Sequence, residues 1–419
     1  MRILFIAPYV PSRIRVRPFQ IIRELSKRHS VHVLALGEVG GAKVQGAEDL
    51  LSTVDDLCVT PHSKLRGLCQ SLIALPTPSP MCTAFCWSRD MHRAVADAVR
   101  GTRFDIVHVE HLRAAHFASA CGDLPVVFDS VDCLTGLFSQ MARSKKNPIG
   151  KLVMLEEAWK LRRYEPHTLG RFDRIVITSD SERDQLTALN SSLKIVVVPN
   201  GVDTGYFTPN ACDRSGWSPS QPGPRRRSDT TGGQGSAKVP RRIAFSGKMG
   251  YHPNAQAAMW FAENVFGGLR QRYADVEFVV VGSDPPAEVR KLEDVAGITV
   301  TGYVDDIRPW LDSSSVAVVP MQVAVGIQNK LLEAMATGLP VVATPIATRA
   351  LPLDCPGVIQ AASAEDMLRE LSKLLEDPSA AEQIGREGRA EVVRNFSWQS
   401  SVEKLELVYK DAIRTRRLI

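Results

Sequence analysis

The chain has no run of about 18 apolar residues, the length a membrane-spanning helix needs. No cysteine pair at zinc-ligand spacing is matched by a second pair. The eight cysteines stand scattered at 58, 69, 82, 86, 121, 133, 212 and 355, and Cys82 and Cys86 form a lone C-x-x-x-C. Reduced core or surface thiols of a cytosolic protein are therefore expected. There is no large excess of either charge. The net +5 is too small and too dispersed for a nucleic-acid binder, although it suits attraction to a phosphate-bearing ligand or an anionic membrane surface. The N-terminus, MRILFIAPYV, lacks a long apolar segment and a cleavage site, and charge follows at once from Arg13 to Arg17. It reads as a first strand and not a signal peptide. These absences predict a soluble cytoplasmic protein, with peripheral contact at the inner membrane face left open.

What is present is an ordinary globular composition, 44% hydrophobic and 23% charged, over 419 residues. That length suits two domains of roughly 150–200 residues each. Short β-branched runs alternate with amphipathic helical patterns. Residues 3–7, 31–36, 106–109, 125–128, 174–178 and 194–198 read as buried parallel strands, with helices such as 17–28 and 152–169 between them. The alternation implies an α/β doubly wound, Rossmann-like domain over 1–208. It breaks at 209–241, rich in Pro, Gly and Ser with a basic run at Arg225–Arg227, which reads as a flexible linker or insertion. It restarts at 242–247, with further strands at 277–281, 298–301, 315–319 and 341–344, giving a second Rossmann-like domain over 242–396. Two such domains facing across a linker would put the carboxyl ends of both sheets at one cleft. A last amphipathic helix, 397–419, begins at Ser397, which suits an N-cap, and is expected to pack back on the first domain.

The segment GIQNKLLEAMATGLPVVAT, 326–344, carries the clearest chemistry. A loop after the strand 315–319 opens a helix near Asn329. Free backbone N–H groups there, with Gly326 permitting close approach, form a diphosphate site. Glu333 lies one turn into the helix, where a carboxylate can accept both ribose hydroxyls. The small residues Ala334, Ala336 and Gly338 allow tight packing on the sheet. The plain alternative is a well-capped helix before a buried strand.

This stretch resembles the donor-binding motif of family 4 glycosyltransferases, E-G-F-G-x-x-x-x-E-A-M-A-x-G-x-P-V. Four other segments resemble the same family in order: FDIVHVEH (104–111), VVPNGVDTGYF (197–207), FSGKM (245–249) and TGYVDDIRPWL (301–311). The resemblance implies a GT-B fold and a retaining sugar transferase. Its donor would be a nucleotide-diphosphate sugar, UDP or GDP, and its acceptor a glycan or a polyprenyl-diphosphate-linked glycan. It further implies a donor site built from Gly247, Lys248, Gly326, Ile327, Gln328, Asn329, Lys330, Leu331 and Glu333. Lys248 would meet the diphosphate, where charge develops as the leaving group departs, and Lys330 is either a second cation or a surface residue. Lys248, His111 and Glu333 are the catalytic candidates. His111 lies past the strand 106–109 near the reacting sugar, a structural histidine being the alternative. On the acceptor side stand Arg13, Arg15 and Arg17, which meet an anionic group or solvate a loop, and Glu110, Asp129 and Asp132, of which one orients or deprotonates the acceptor hydroxyl. No D-x-D pair is placed to hold a metal, so neither metal nor cofactor is expected. Asp305 and Asp306 read as capping charges before a helix.

Two departures stand out. The family's first glutamate falls at Val325, and its Gly-Gly turn is missing ahead of Arg13. Within the family, PYVPSR (8–13), LRRYE (161–165) and YHPN (251–254) resemble exosortase-associated sugar transferases of bacterial exopolysaccharide clusters. The alternatives are a nucleotide-sugar epimerase of the same fold and a non-catalytic donor-binding scaffold. The segment 63–87 mixes apolar and basic groups, and reads as an acceptor- or membrane-facing surface or as core.

Overall fold

A computed structural model describes residues 1–12, 15–38, 50–144, 147–209, 241–324 and 326–418. Arg13, Val325 and residues 210–240 of the expected linker lie outside the described residues. The chain divides into two compact units, one of 1–199 with 401–419 and one of 200–400.

The first unit holds a seven-stranded sheet in the order β3-β2-β1-β4-β5-β6-β7. Its strands are β1 (Arg2–Ala7), β2 (Ser30–Glu38), β3 (Asp56–His62), β4 (Ile106–Glu110), β5 (Val126–Asp129), β6 (Arg174–Ile177) and β7 (Ile195–Val197). Every pairing is parallel. The central strands are buried on both faces: Ile3, Leu4, Phe5 and Ile6 are fully buried, and so are the polar His108, Glu110 and Asp129. Strand β3 has no counterpart among the expected strands. It is an edge strand with three exposed residues and an internal Pro61, so it lacks the continuous apolar run of a central strand.

The second unit repeats the plan with six parallel strands in the order β10-β9-β8-β11-β12-β13. They are β8 (Arg241–Ser246), β9 (Val276–Val281), β10 (Ile298–Val300), β11 (Val316–Val319), β12 (Val341–Ala343) and β13 (Val358–Gln360). The unexpected strand here, β13, is again a short edge strand with no buried residue. Each unit has its own hydrophobic core.

The helix Trp398–Arg416 buries Val402, Leu405, Tyr409 and Ala412, a spacing that puts all four on one face. Ser397 Oγ accepts the Ser400 N–H at 3.1 Å at its start. From Ser401 onward the helix belongs to the first unit. His29 Nε2 lies 2.8 Å from Glu406 Oε1, Arg174 Nε donates to Asp411 Oδ2 (2.6 Å), and the Tyr409 hydroxyl meets His108 Nδ1 at 2.8 Å.

Strand order reverses between β1 and β4 in the first unit and between β8 and β11 in the second. Ligands of open parallel sheets bind outside the carboxyl ends of strands at such a reversal. The expected site residues gather at these two places.

Candidate active site

At the reversal of the second unit, β8 ends in Ser246 and the chain turns at Gly247, whose φ is 152°. The turn after β9 lies directly against it. Gly247 N–H donates to Val281 O (2.9 Å) and Met249 N–H to Ser283 O (2.8 Å). A β-carbon on Gly282 would fall 1.8 Å from Gly247 O, so the approach of these turns requires glycine.

From the facing side, the helix Asn329–Ala336 begins without a side-chain cap and with no acid in its first turn. Its amide dipoles therefore favour an anion. Lys330 reaches back from this turn toward β8. Its Nζ donates to Asn254 Oδ1 at 2.6 Å and sits 5.3 Å from the centre of the Phe245 ring. Asn254 Nδ2 in turn donates to Lys248 O at 2.9 Å, so one amide ties the lysine to the β8 turn. A β-carbon on Gly247 would come within 3.2 Å of Lys330 Cε. Lys330 is half-buried, and burial brings its pKa down to about 8, against the pull of Glu333. Burial likewise raises the Glu333 carboxyl to about 7, with Lys330 opposing.

Lys248 is placed differently. Its side chain is 68% exposed and its Nζ lies 3.3 Å from Asp284 Oδ2, itself 63% exposed. An exposed pair of this kind is weak, so the ammonium can exchange a carboxylate for a phosphate. Gly326 has φ 62°, the left-handed conformation that glycine adopts without cost. Asn329 is exposed at the helix start and Gln328 half-buried before it. Leu331 is a correction to the expected donor set, a core side chain whose N–H is bonded to Gln328 O (3.0 Å); the Ile327 side chain is also core, which leaves its backbone alone to face a donor. Thr344 Oγ1 donates to Met321 O (2.7 Å) and pins the loop before the helix. Asn254, Asp284 and Thr344 were absent from the expected site. Asn254 closes the YHPN segment and Thr344 the 326–344 segment, but nothing in either tells that the amide will join two lysines or the hydroxyl pin a loop. Asp306 Oδ1 accepts the Arg308 N–H at 2.9 Å, as a cap does.

At the reversal of the first unit, His111 follows β4 with φ 67°. Its Nδ1 accepts the Arg113 N–H at 3.2 Å, which leaves the ring proton on Nε2. Burial, helped by Arg113 and Arg15, drives its pKa down to about 3. His111 is thus a neutral N–H donor at neutral pH and not a proton acceptor.

The expected acceptor-side groups separate here. Arg17 is a correction: it is 5% exposed, and its Nε and a terminal nitrogen each lie 2.9 Å from Asp129 Oδ2. Glu110 is another. It is fully buried, Tyr9 OH donates to its Oε1 (3.1 Å), and burial with Asp129 nearby raises its pKa to about 8. Asp129 is equally buried. Arg15 remains exposed, with its guanidinium 3.7 Å above the Tyr9 ring. Asp132 is the carboxylate that keeps solvent contact. Burial raises its pKa, and burial together with Asp132 raises that of Glu182 to about 7. Ligand-type atoms of His108, Glu110 and Asp129 lie within 4.8 Å of one another. The Arg17 guanidinium already supplies positive charge to that cluster.

The sequence matches the model described as Glycosyltransferase Family 4 over residues 16–206 and that of Glycosyl transferases group 1 over residues 240–377, together most of the chain. It is 32% identical over 152 residues to an MMP alpha-(1->4)-mannosyltransferase of Mycolicibacterium hassiacum, covering 33% of this chain and 36% of that protein. It is 30% identical over 275 residues to a D-inositol 3-phosphate glycosyltransferase of Actinosynnema mirum, covering 59% of this chain and 60% of the relative. The chain thus spans less than two thirds of either relative. Among solved structures, HepE of Anabaena in complex with UDP resembles it with a TM-score of 0.65 at 13% identity, covering 98% of this chain and 100% of that one. The protein has the GT-B fold and belongs to glycosyltransferase family 4.

Proposed function

We propose that the protein transfers a sugar, with retention of configuration, from UDP- or GDP-sugar to a glycan or polyprenyl-diphosphate-linked acceptor in bacterial exopolysaccharide synthesis, working as a peripheral protein at the inner membrane face. The observation that carries this reading is the second unit's site: a half-buried lysine over an uncapped helix start at the strand-order reversal, with Glu333 one turn on. That arrangement suits a diphosphate beside a ribose. The UDP bound to the structurally similar HepE supports it, and the curated relatives named as glycosyltransferases support the transfer.

In the reaction the bond between the sugar's anomeric carbon and the diphosphate oxygen breaks, and its electron pair leaves with the nucleoside diphosphate. Lys330, the helix N-terminus and Lys248 stabilise that charge in a partly desolvated site, so the cations the step needs belong to the protein. His111 is held neutral by burial with its Nδ1 taken by the Arg113 N–H, so it acts only as a donor through Nε2. Asp132 orients the acceptor hydroxyl, whose proton passes to the departing diphosphate oxygen as the new glycosidic bond forms. The exopolysaccharide setting rests on the resemblance of PYVPSR, LRRYE and YHPN.

Following each UDP- and GDP-sugar by proton NMR with a lipid-diphosphate glycan acceptor tests this. Acceptor-dependent release of nucleoside diphosphate, with a product anomer matching the donor, is expected. Conversion of the free nucleotide sugar to an epimer without acceptor would make the protein an epimerase. An inverted product would refute retention.

A further inference from the structure

Half of the large hydrophobic side chains left exposed among the described residues fall in two short stretches, 65–87 and 141–159. Both belong to the first unit. On the helix Lys64–Ala74, Leu65 (74% exposed), Leu68, Leu72 and Ile73 (71%) line up at i, i+3, i+7 and i+8, one continuous stripe. On the helix Pro148–Leu169, Ile149, Leu152, Leu155 and Trp159 are also exposed. Lys160 ties the end of the first helix to the middle of the second: it is itself buried, and its Nζ donates to Ala74 O (2.9 Å) and Leu75 O (2.8 Å). Glu157 fixes the intervening helix Met81–Phe85 by accepting the Met81 and Cys82 N–H groups, each at 2.8 Å. The first helix, packed on the helix Met81–Phe85 and tied at its end by Lys160, therefore presents a firmly held apolar stripe, and a face of this kind marks an interaction site.

Its charges select the occupant. No Asp or Glu occurs from 63 to 88, and between 147 and 164 the only two are Glu156 and Glu157. Glu157 is buried in its capping role and Glu156 pairs with Lys160. Arg66 is exposed on the first helix and Lys151, Arg162 and Arg163 on the second, with Arg163 4.8 Å over the Trp159 ring. A second copy docked by this same face would bring two sets of basic side chains together. A surface both apolar and negative does not meet that penalty. We infer that this face docks on the surface of a bilayer containing anionic lipid, with Leu65, Leu68, Leu72 and Ile73 entering the headgroup–acyl boundary and the basic rim on lipid phosphates. No helix among the described residues is long and apolar enough to cross the membrane, so the face lies on the bilayer. The inference deepens the peripheral placement proposed above and does not depend on catalysis.

Sedimentation of the full chain with phosphatidylcholine vesicles, with and without phosphatidylglycerol, tests it. Binding to the anionic vesicles, weakened by salt, is expected. The double variant Leu68→Glu/Leu72→Glu changes two exposed positions, so its melting temperature and nucleotide affinity should match wild type while its vesicle affinity falls at least about ten-fold. Arg66→Glu with Lys151→Glu should lose roughly five-fold per residue. The inference is overturned if wild type stays in the supernatant, if the leucine variant still sediments, or if the leucine substitutions instead abolish a dimer seen by size exclusion. Failure of nucleotide binding with vesicle binding intact would count against the catalytic reading alone.

Discussion

Lys330 and Glu333 share one turn of one helix, and burial moves both toward neutrality from opposite sides. Burial lowers the lysine to about 8 and raises the glutamate to about 7. A diphosphate needs the ammonium, present below about 8, and the ribose hydroxyls need the carboxylate, present above about 7. Nucleoside diphosphate affinity should therefore peak between those values and fall on either side. In Lys330→Met the alkaline limb should disappear and affinity should drop about ten-fold or more, the loss expected for a charge-assisted hydrogen bond. Calorimetric titration across pH checks both, and a flat profile would show that neither group meets the ligand. These two residues were legible because they sit in one contiguous stretch whose chemistry is local. Asn254 was not: its amide acts across 76 positions, and no spacing reports that. Arg17 was misread for a related reason. Its neighbours in sequence look like a solvated loop, yet its partner, Asp129, lies 112 positions away.

Among the elements, the helix Trp398–Arg416 shows how burial assigns a segment to its unit. It follows the second unit in sequence, but Tyr409 is wholly buried against His108 in the first. The Phe5 ring stacks on that histidine at 4.3 Å and Arg17 bridges to Asp129 beside it, so helix, sheet and polar cluster are one packed assembly. Tyr409→Ala should cost about 3–5 kcal/mol through the lost aromatic volume. Tyr409→Phe, which removes only the hydroxyl, should cost about 1 kcal/mol. Urea unfolding followed by circular dichroism measures both, and equal losses would mean that the hydroxyl rather than the ring anchors the helix. The buried central strands and this helix's apolar spacing were plain in the sequence. Strands β3 and β13 were not, because an edge strand is half solvated and carries no continuous apolar run.

For the molecule as a whole, the proposed reaction divides its chemistry between the two units. The second gathers Gly247, Lys248, Gly326, Lys330 and Glu333 at its strand-order reversal. The first presents His111 and Asp132 at its own. The donor side was the more legible because phosphate and ribose recognition use a helix start and a short motif. The acceptor side was less so, since burial decides which carboxylates reach solvent, and burial is a property of the fold. The central claim is that Glu333 and the helix beginning at Asn329 hold a nucleoside diphosphate. Calorimetric titration of UDP and GDP against wild type and Glu333→Ala tests it most directly. Wild type should bind one of them, and Glu333→Ala should bind it about ten-fold or more weakly, as removal of a charged hydrogen-bond acceptor predicts. Absence of binding to either nucleotide, or an affinity unchanged by the substitution, would contradict it.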